Sequence, residues 1–258
     1  MLVALDVDGT VVDADGQIVR GAKEIADLRK FGILVGLCTA RPYFGVNSVS
    51  NELGALDFVC ALQGALIVDS AGIELSSGPA LQSDVLEWCL RQFGKSAEIW
   101  CYTAKGWFVS RDSDPARHEA RMVGRRWDSS LDAITDPLLK VVVVGTGLLH
   151  ADFREGSDLG IRTLRSNPTY WEISSAEVEA EKGLRWISTV AYPGRSTIAV
   201  GDGANDVAML KFAACSFTFA DADATVRDAA SRVLECSPKR SLLGVLSYLQ
   251  DRLSERAV

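Results

Sequence analysis

The chain has 258 residues, 48% hydrophobic and 24% charged, the balance of a water-soluble globular protein able to bury a substantial core and to carry a smaller second domain. A formal charge of −7 argues against non-specific binding to nucleic acid or anionic membranes, since both need a basic face. Any phosphate site must therefore be made locally.

The chain opens with V-A-L-D-V-D-G-T-V-V-D, Val3 to Asp13. A short apolar run closed by Gly9 reads as a buried parallel strand, so Asp6 and Asp8 are expected at its carboxyl end, where open α/β sheets keep their chemistry. Two carboxylates this close repel, which raises one pKa unless a cation sits between them. A shared proton, a bound metal and solvent separation at a turn all remain open. Ala22, Ile25, Ala26 and Arg29 then mark a helix ending at Gly32, and Ile33 to Cys38 form a second strand, completing a parallel crossover. A further unit runs through Val46 to Leu53 and Phe58 to Leu62, followed by a short hairpin of Ala65 to Val68 and Ile73 to Leu75 around Gly72.

From Pro79 the character changes. Leu86, Cys89, Leu90 and Phe93 have helical spacing, and Ala97 to Thr103 with Gly106 to Ser110 read as strands rich in aromatic and β-branched residues. Asp114 and Pro115 look like an N-cap and N1 proline, with Ala116, Ala120, Val123 and Trp127 continuing that helix on one face. Strands are expected at Leu138 to Val144, Ile161 to Arg165 and Tyr170 to Ser174, with a helix near Leu148 to Arg154. This middle third reads as an α+β domain, residues 79–177, inserted between 1–78 and 178–258. The crossover pattern resumes after Lys182 with a helix to about Thr189, a strand at Thr197 to Val200, a helix from Asn205 and short strands near Phe217 and Val233. Leu242, Leu246, Leu249 and Leu253 give a closing helix its buried stripe.

Six scattered cysteines without a C-x-x-C pair read as small buried hydrophobes of a reducing compartment. No signal peptide is apparent, and the apolar stretch Leu138 to Leu149 is broken by Lys140 and two glycines, so a cytoplasmic protein without membrane contact is expected.

A second acidic site is T-I-A-V-G-D-G-A-N-D-V-A-M-L, Thr197 to Leu210. Here again an apolar strand ends in a carboxylate, Asp202, with Asn205 and Asp206 just beyond. Asp6, Asp8 and Asp202 would offer hard oxygen ligands from two strand ends, a donor set suited to Mg²⁺. Thr39 and Arg41 close the second strand and suit a phosphoryl group; Lys182 can add a point charge. A lone D-x-D commonly caps a helix or solvates a turn, and Lys182 lies among Glu177, Glu179 and Glu181, a pattern shared with solvated faces. Two histidines, His118 and His150, exclude a multi-histidine metal site and read as surface or helix residues. Trp100, Tyr102, Trp107, Trp127, Tyr170 and Trp171 read first as packing; Trp107, Arg111 and Arg165 are weaker candidates to face a substrate.

Taken together, D-V-D-G-T, Thr39, Lys182 and G-D-G-A-N-D resemble, in order, the four motifs of the haloacid dehalogenase-like superfamily. The insert between the second and third resembles that of the Cof-type phosphatases with a subclass IIB cap. The resemblance implies a Rossmann-like parallel-sheet core with an inserted α+β cap, and a Mg²⁺-dependent phosphatase of small phosphorylated metabolites such as sugar phosphates. It further implies Asp6 as nucleophile, Asp8 as acid and base, Mg²⁺ on Asp6, the Asp8 carbonyl and Asp202, phosphoryl contacts from Thr39, Lys182 and Asn205, and Asp206 orienting Lys182 or a metal-bound water. Gln63-Gly64 departs from the usual Asn-Gly, and F-A-D-A-D at Phe219 to Asp223 from M-G-N-A. A sugar phosphomutase and a phospho-aspartate signalling protein are the competing readings. Neither G-x-G-x-x-G after the first strand nor G-x-x-x-x-G-K-[ST] is present, which disfavours a nucleotide-binding module.

Overall fold

The computed structural model describes residues 1–54, 56–146, 159–236 and 239–255. The helix expected near Leu148 to Arg154 lies outside them. In chain order the elements are β1 (Leu2–Leu5), α1 (Ala22–Asp27), β2 (Leu34–Cys38), α2 (Asn47–Leu53), β3 (Phe58–Ala61), β4 (Leu66–Asp69), β5 (Glu74–Ser77), α3 (Ser83–Phe93), β6 (Glu98–Thr103) and β7 (Trp107–Val109). There follow α4 (Asp114–Val123), β8 (Ser129–Ser130), β9 (Leu138–Val144), β10 (Ile161–Asn167), β11 (Tyr170–Ser175), α5 (Ala180–Trp186), β12 (Thr197–Val200), α6 (Val207–Phe212), β13 (Cys215–Phe219), α7 (Ala224–Ala229), β14 (Arg232–Leu234) and α8 (Leu243–Ser254).

Among the described residues these strands form two sheets. The larger has the order β14-β13-β12-β1-β2-β3-β4-β5, parallel from β14 to β3 and antiparallel from β3 to β5. Successive residues of β1 point to opposite faces. Val3 and Leu5 pack in one core with Ile25 and Val245, of α1 and α8, while Leu2 and Ala4 pack with Leu184, Met209 and Val226 of α5, α6 and α7. With helices on both faces, the strand must be apolar throughout, which is why V-A-L shows no alternation. From β1 the chain winds outward to β2 and β3, and after the insert to β12, β13 and β14 on the other side. β1 and β12 therefore flank a topological switch point, and Leu5 pairs with Val200 in register. Asp6 and Asp202, each just past its strand, leave this crevice side by side.

The second sheet has the order β10-β11-β9-β6-β7-β8 and lies wholly within the insert. Ile99, Cys101, Val141, Val143 and Ile173 on one face pack against Val85, Trp88, Cys89 and Phe93 of α3. Trp100, Tyr102, Lys140, Val142, Tyr170 and Glu172 occupy the opposite face and line a cavity shared with the first sheet.

Several local expectations need correction. Leu90 is 40% exposed, so the packing stripe of α3 runs through Val85, Trp88, Cys89 and Phe93. Ser113, rather than Asp114, caps α4, its hydroxyl accepting from the Ala116 amide; Asp114 and Pro115 form the first turn. That helix stops at Gly124, which takes φ +69°, so Trp127 lies beyond it and packs edge-on against Trp107. Lys182 stands inside α5 rather than before it. The stripe of α8 is centred on Val245 and Leu249, with Leu242 buried just before the helix and Leu246 and Leu253 only partly covered.

One glycine sets how close α5 comes to β3. A Cβ on Gly183 would stand 2.4 Å from Cys60 Sγ and 3.1 Å from the Gly64 Cα. Such overpacking costs about 1–3 kcal/mol. Gly183→Ala is expected to lower the melting temperature by several degrees in a thermal scan, at about 2–4 °C per kcal/mol for a chain of this size; an unchanged melt would show that α5 can yield.

Candidate active site

Asp6, Asp202 and Asp206 offer carboxylate oxygens that all lie within 4.8 Å of one another. Asp6 is 4% exposed and Asp206 2%. Burial first, then the charges of Asp206, Asp202 and Asp8, pushes the Asp6 carboxyl well above its ordinary range. Burial likewise raises Asp206 to about 7, although the Gly203 and Asp202 amides pull the other way. Both amides donate to Asp206 Oδ2 at 3.0 Å, and the Asn205 carboxamide donates to Oδ1 at 3.3 Å. The turn after β12 is thereby closed onto Asp206. Two buried acids and the half-buried Asp202 converge here, and a divalent ion with oxygen ligands is a partner that relieves their repulsion. The donor set thus fits Mg²⁺.

The Asp8 side chain turns away from this cluster. The Arg41 guanidinium donates to it through Nε at 2.9 Å and Nη2 at 2.6 Å, while Nη1 donates to the Gly45 carbonyl at 3.0 Å. This fork is the strongest geometry available to a guanidinium and a carboxylate. Thr39 is buried at the end of β2, and its hydroxyl accepts from the Arg41 amide at 3.1 Å. Asp6, Asp8, Arg41, Asp202 and Asn205 line the cavity. Thr39 and Asp206 sit beside it, and Lys182, in the first turn of α5, is exposed, its amide donating to the Glu179 carbonyl at 2.9 Å and its ammonium making no hydrogen bond among the described residues.

The cavity measures about 580 Å³. Its far wall comes from the second sheet and α4. Lys140 Nζ lies 2.5 Å from Glu172 Oε2 and donates to the Ala40 carbonyl at 3.1 Å. The Gln63 carboxamide donates to the same Glu172 oxygen at 3.4 Å. Leu62 and Gln63 have φ of +50° and +58°, conformations that strain L-residues by about 1–3 kcal/mol each. The strain is held by two backbone bonds, Leu62 N to the Arg41 carbonyl at 2.9 Å and Gln63 N to the Thr39 carbonyl at 2.8 Å. Glutamine at the usual asparagine position thus reaches the insert. Tyr102 stacks between Phe44 and Trp107, and Trp100 meets Tyr170 edge to face. Trp107 is fully buried in this aromatic cluster; Arg165 lines the cavity, as does His118.

Sequence reasoning missed Arg240. Its Nη1 donates to Asp202 Oδ2 at 2.5 Å and to the Gly9 carbonyl at 2.6 Å, while Nε donates to both Asp221 oxygens. The departure F-A-D-A-D supplies this partner: Asp221 anchors the arginine that holds Asp202. No local motif marks a residue 38 positions after its acid.

Acids at a switch point beneath a lined cavity define a ligand site of the doubly wound α/β class. The model of the haloacid dehalogenase-like hydrolases matches residues 3–246, and the chain belongs to that family, in its Cof-type branch. Within it the chain is a phosphatase. A putative phosphatase of Bacillus subtilis is 24% identical over 249 residues, covering 89% of this chain and 91% of its own. A phosphoglycolate phosphatase of Methanopyrus kandleri is 24% identical over 262 residues, covering 98% and 97%. The solved structure of a subclass IIB sugar phosphatase of the same superfamily superposes with a TM-score of 0.71 at 18% identity, covering 91% of this chain and 93% of that one. Among the described residues, no helix is long and apolar enough to cross a membrane.

Proposed function

We propose that the chain is a Mg²⁺-dependent phosphatase of small phosphorylated metabolites, sugar phosphates foremost, working through an aspartyl phosphate on Asp6. The observation that carries this reading is the buried cluster of Asp6, Asp202 and Asp206 at the floor of a cavity roofed by another sheet. A carboxylate oxygen of Asp6, the Asp8 carbonyl and Asp202 would hold the ion, with Asp206 fixing the loop behind them. When bound, the cation neutralises charge on the transferring phosphoryl group.

Asp6 attacks phosphorus and the ester P–O bond breaks, the departing oxygen taking a proton from Asp8. Asp8 then removes a proton from water, which attacks the phosphorus of the acyl phosphate, releasing inorganic phosphate and restoring Asp6. Splitting one displacement into two matters because uncatalysed phosphate-monoester hydrolysis is among the slowest of reactions, with enzymatic accelerations reaching ~10²¹-fold. Thr39, Asn205 and Lys182 bind phosphoryl oxygens, Lys182 by swinging its flexible exposed stem inward. An arriving phosphoryl anion competes with Asp8 for the Arg41 fork, which gives Arg41 both roles: it parks Asp8 at rest and meets the phosphate on entry. The insert, residues 79–177, acts as the cap over the core formed by 1–78 and 178–258, and its enclosure of the cavity excludes macromolecular substrates.

The test is release of inorganic phosphate from a panel of phosphorylated metabolites with and without Mg²⁺. Phosphate transferred to a hydroxyl instead would mark a mutase, and a long-lived phospho-aspartate without turnover a signalling protein. Arg240 provides a further expectation. Partners that orient a metal ligand typically contribute 10–100-fold to affinity, so Arg240→Ala is expected to weaken Mg²⁺ binding by about tenfold in calorimetry. Equal or tighter binding would mean that the arginine competes with the ion.

A further inference from the structure

On the inward face of α4, Ala116, Glu119, Ala120 and Val123 follow the i, i+3, i+4, i+7 spacing of a packing stripe. Ala116 and Val123 are buried, and Val123 and Glu119 line the cavity. An acid in such a stripe is a misfit, since a partly desolvated carboxylate without a partner is costly. The Glu119 carboxylate makes no hydrogen bond or ion pair among the described residues. Of the basic groups that act on it, Lys140 holds Glu172 and the Ala40 carbonyl and Arg41 holds Asp8 and the Gly45 carbonyl; the third is His118, the preceding residue of α4. Glu119 and Asp8 line the same cavity, so a leaving group protonated by Asp8 departs into the space that Glu119 borders.

We infer that Glu119 is a specificity-determining residue, an acceptor for hydroxyl or ammonium groups of the leaving alcohol, and that it selects donor-rich, uncharged or cationic leaving groups against carboxylate-bearing ones. The inference rests on the phosphatase reading above. Tyr102 and Tyr170 line the same cavity as Glu119, and the half-buried Tyr170, braced edge-on by the buried Trp100, presents aromatic surface on which the C–H face of a sugar can lie. A carboxylate next to the phosphoester would instead meet Glu119 and Glu172 with Lys140 already neutralised. Like charges juxtaposed in a partly dry site disfavour binding.

The decisive measurement is kcat/KM of the wild type, Glu119→Gln and Glu119→Ala on three phosphoesters: a hexose 6-phosphate, 2-phosphoglycolate and p-nitrophenyl phosphate, which has no donor on its leaving group. Melting temperatures of the three proteins establish that the variants are folded. The wild type is expected to prefer the hexose phosphate over 2-phosphoglycolate. In Glu119→Gln the ratio of hexose phosphate to p-nitrophenyl phosphate should fall about tenfold or more, mainly through KM, because a polar site cut for a donor loses that discrimination when its acceptor is weakened. The ratio of 2-phosphoglycolate to hexose phosphate should rise. Equal losses on all three substrates, unchanged ratios, or a wild-type preference for 2-phosphoglycolate would overturn the assignment while leaving the phosphatase reading standing. Failure of the wild type to release phosphate from any of the three would remove both.

Discussion

Asp6→Asn should abolish phosphate release while making the metal-free protein more stable. The substitution keeps size and shape, and the backbone amide of residue 6 still donates to the Val200 carbonyl at 2.9 Å, so the end of β1 stays in place. Loss of a nucleophile that acts as part of a catalytic unit costs on the order of 10⁶-fold. Stability moves the other way, because asparagine removes an acid whose burial, with the charges of Asp206, Asp202 and Asp8 beside it, opposes its ionisation. Phosphate release and a thermal melt without divalent ions, both at neutral pH, check the two halves separately. Residual turnover near the wild-type level would remove Asp6 as nucleophile, and a lower melting temperature would deny that the cluster is strained.

The same crowding makes stability depend on pH in a direction opposite to most acids. Asp206 titrates at about 7 in the folded chain against an ordinary 3.8, and Asp6 is raised as well. Between those pH values the folded protein holds protons that the unfolded chain releases, so stability is greatest at the acidic side and falls as pH rises through about 7. Each pKa unit corresponds to about 1.4 kcal/mol, enough over this span for a drop of several degrees in melting temperature. Asp13 and Asp221, whose carboxyls are held low by the Gln17 amide and by Arg240 respectively, lose their contribution only in stronger acid, so the range above pH 5 reads the raised carboxyls, Asp6 and Asp206 together with Glu119, which burial also lifts. Mg²⁺ favours the ionised cluster and should therefore raise the melting temperature more at pH 8 than at pH 5. Asp206→Asn should flatten the metal-free profile. A Mg²⁺ increment independent of pH would sever the link between these acids and the ion.

The core was legible because its signals are local. An apolar run that ends in an acid and a glycine states both a buried parallel strand and the place where its chemistry sits, and this holds for Val3 to Asp8 and again for Thr197 to Asp202. Their adjacency follows from winding the chain outward from β1 in both directions. The roof of the cavity was not legible for the same reason. Lys140 looked like a break in the apolar stretch from Leu138 to Leu149, yet the pleat of β9 sends Lys140 and Val142 to the cavity and Val141 and Val143 to α3. Glu119 and Glu172 carry no motif, and their meaning depends on which face of a helix or sheet meets the core. Arg240 reaches Asp202 across 38 residues, a relation that only folding creates. The helix ends were misjudged where two cap residues compete, Ser113 being preferred because its hydroxyl, and not the Asp114 carboxylate, meets the Ala116 amide.

Lys140 and Glu172 stand on neighbouring strands of the insert, so the ammonium carries its counterion with it. Swinging that layer outward to admit a guest leaves this pair intact and releases its polar links to Ala40 and from Gln63, each replaceable by water. The stack of Tyr102 on Phe44 opens with them, so apolar contact, and not a charge left stranded without its partner, is what holds the layer down.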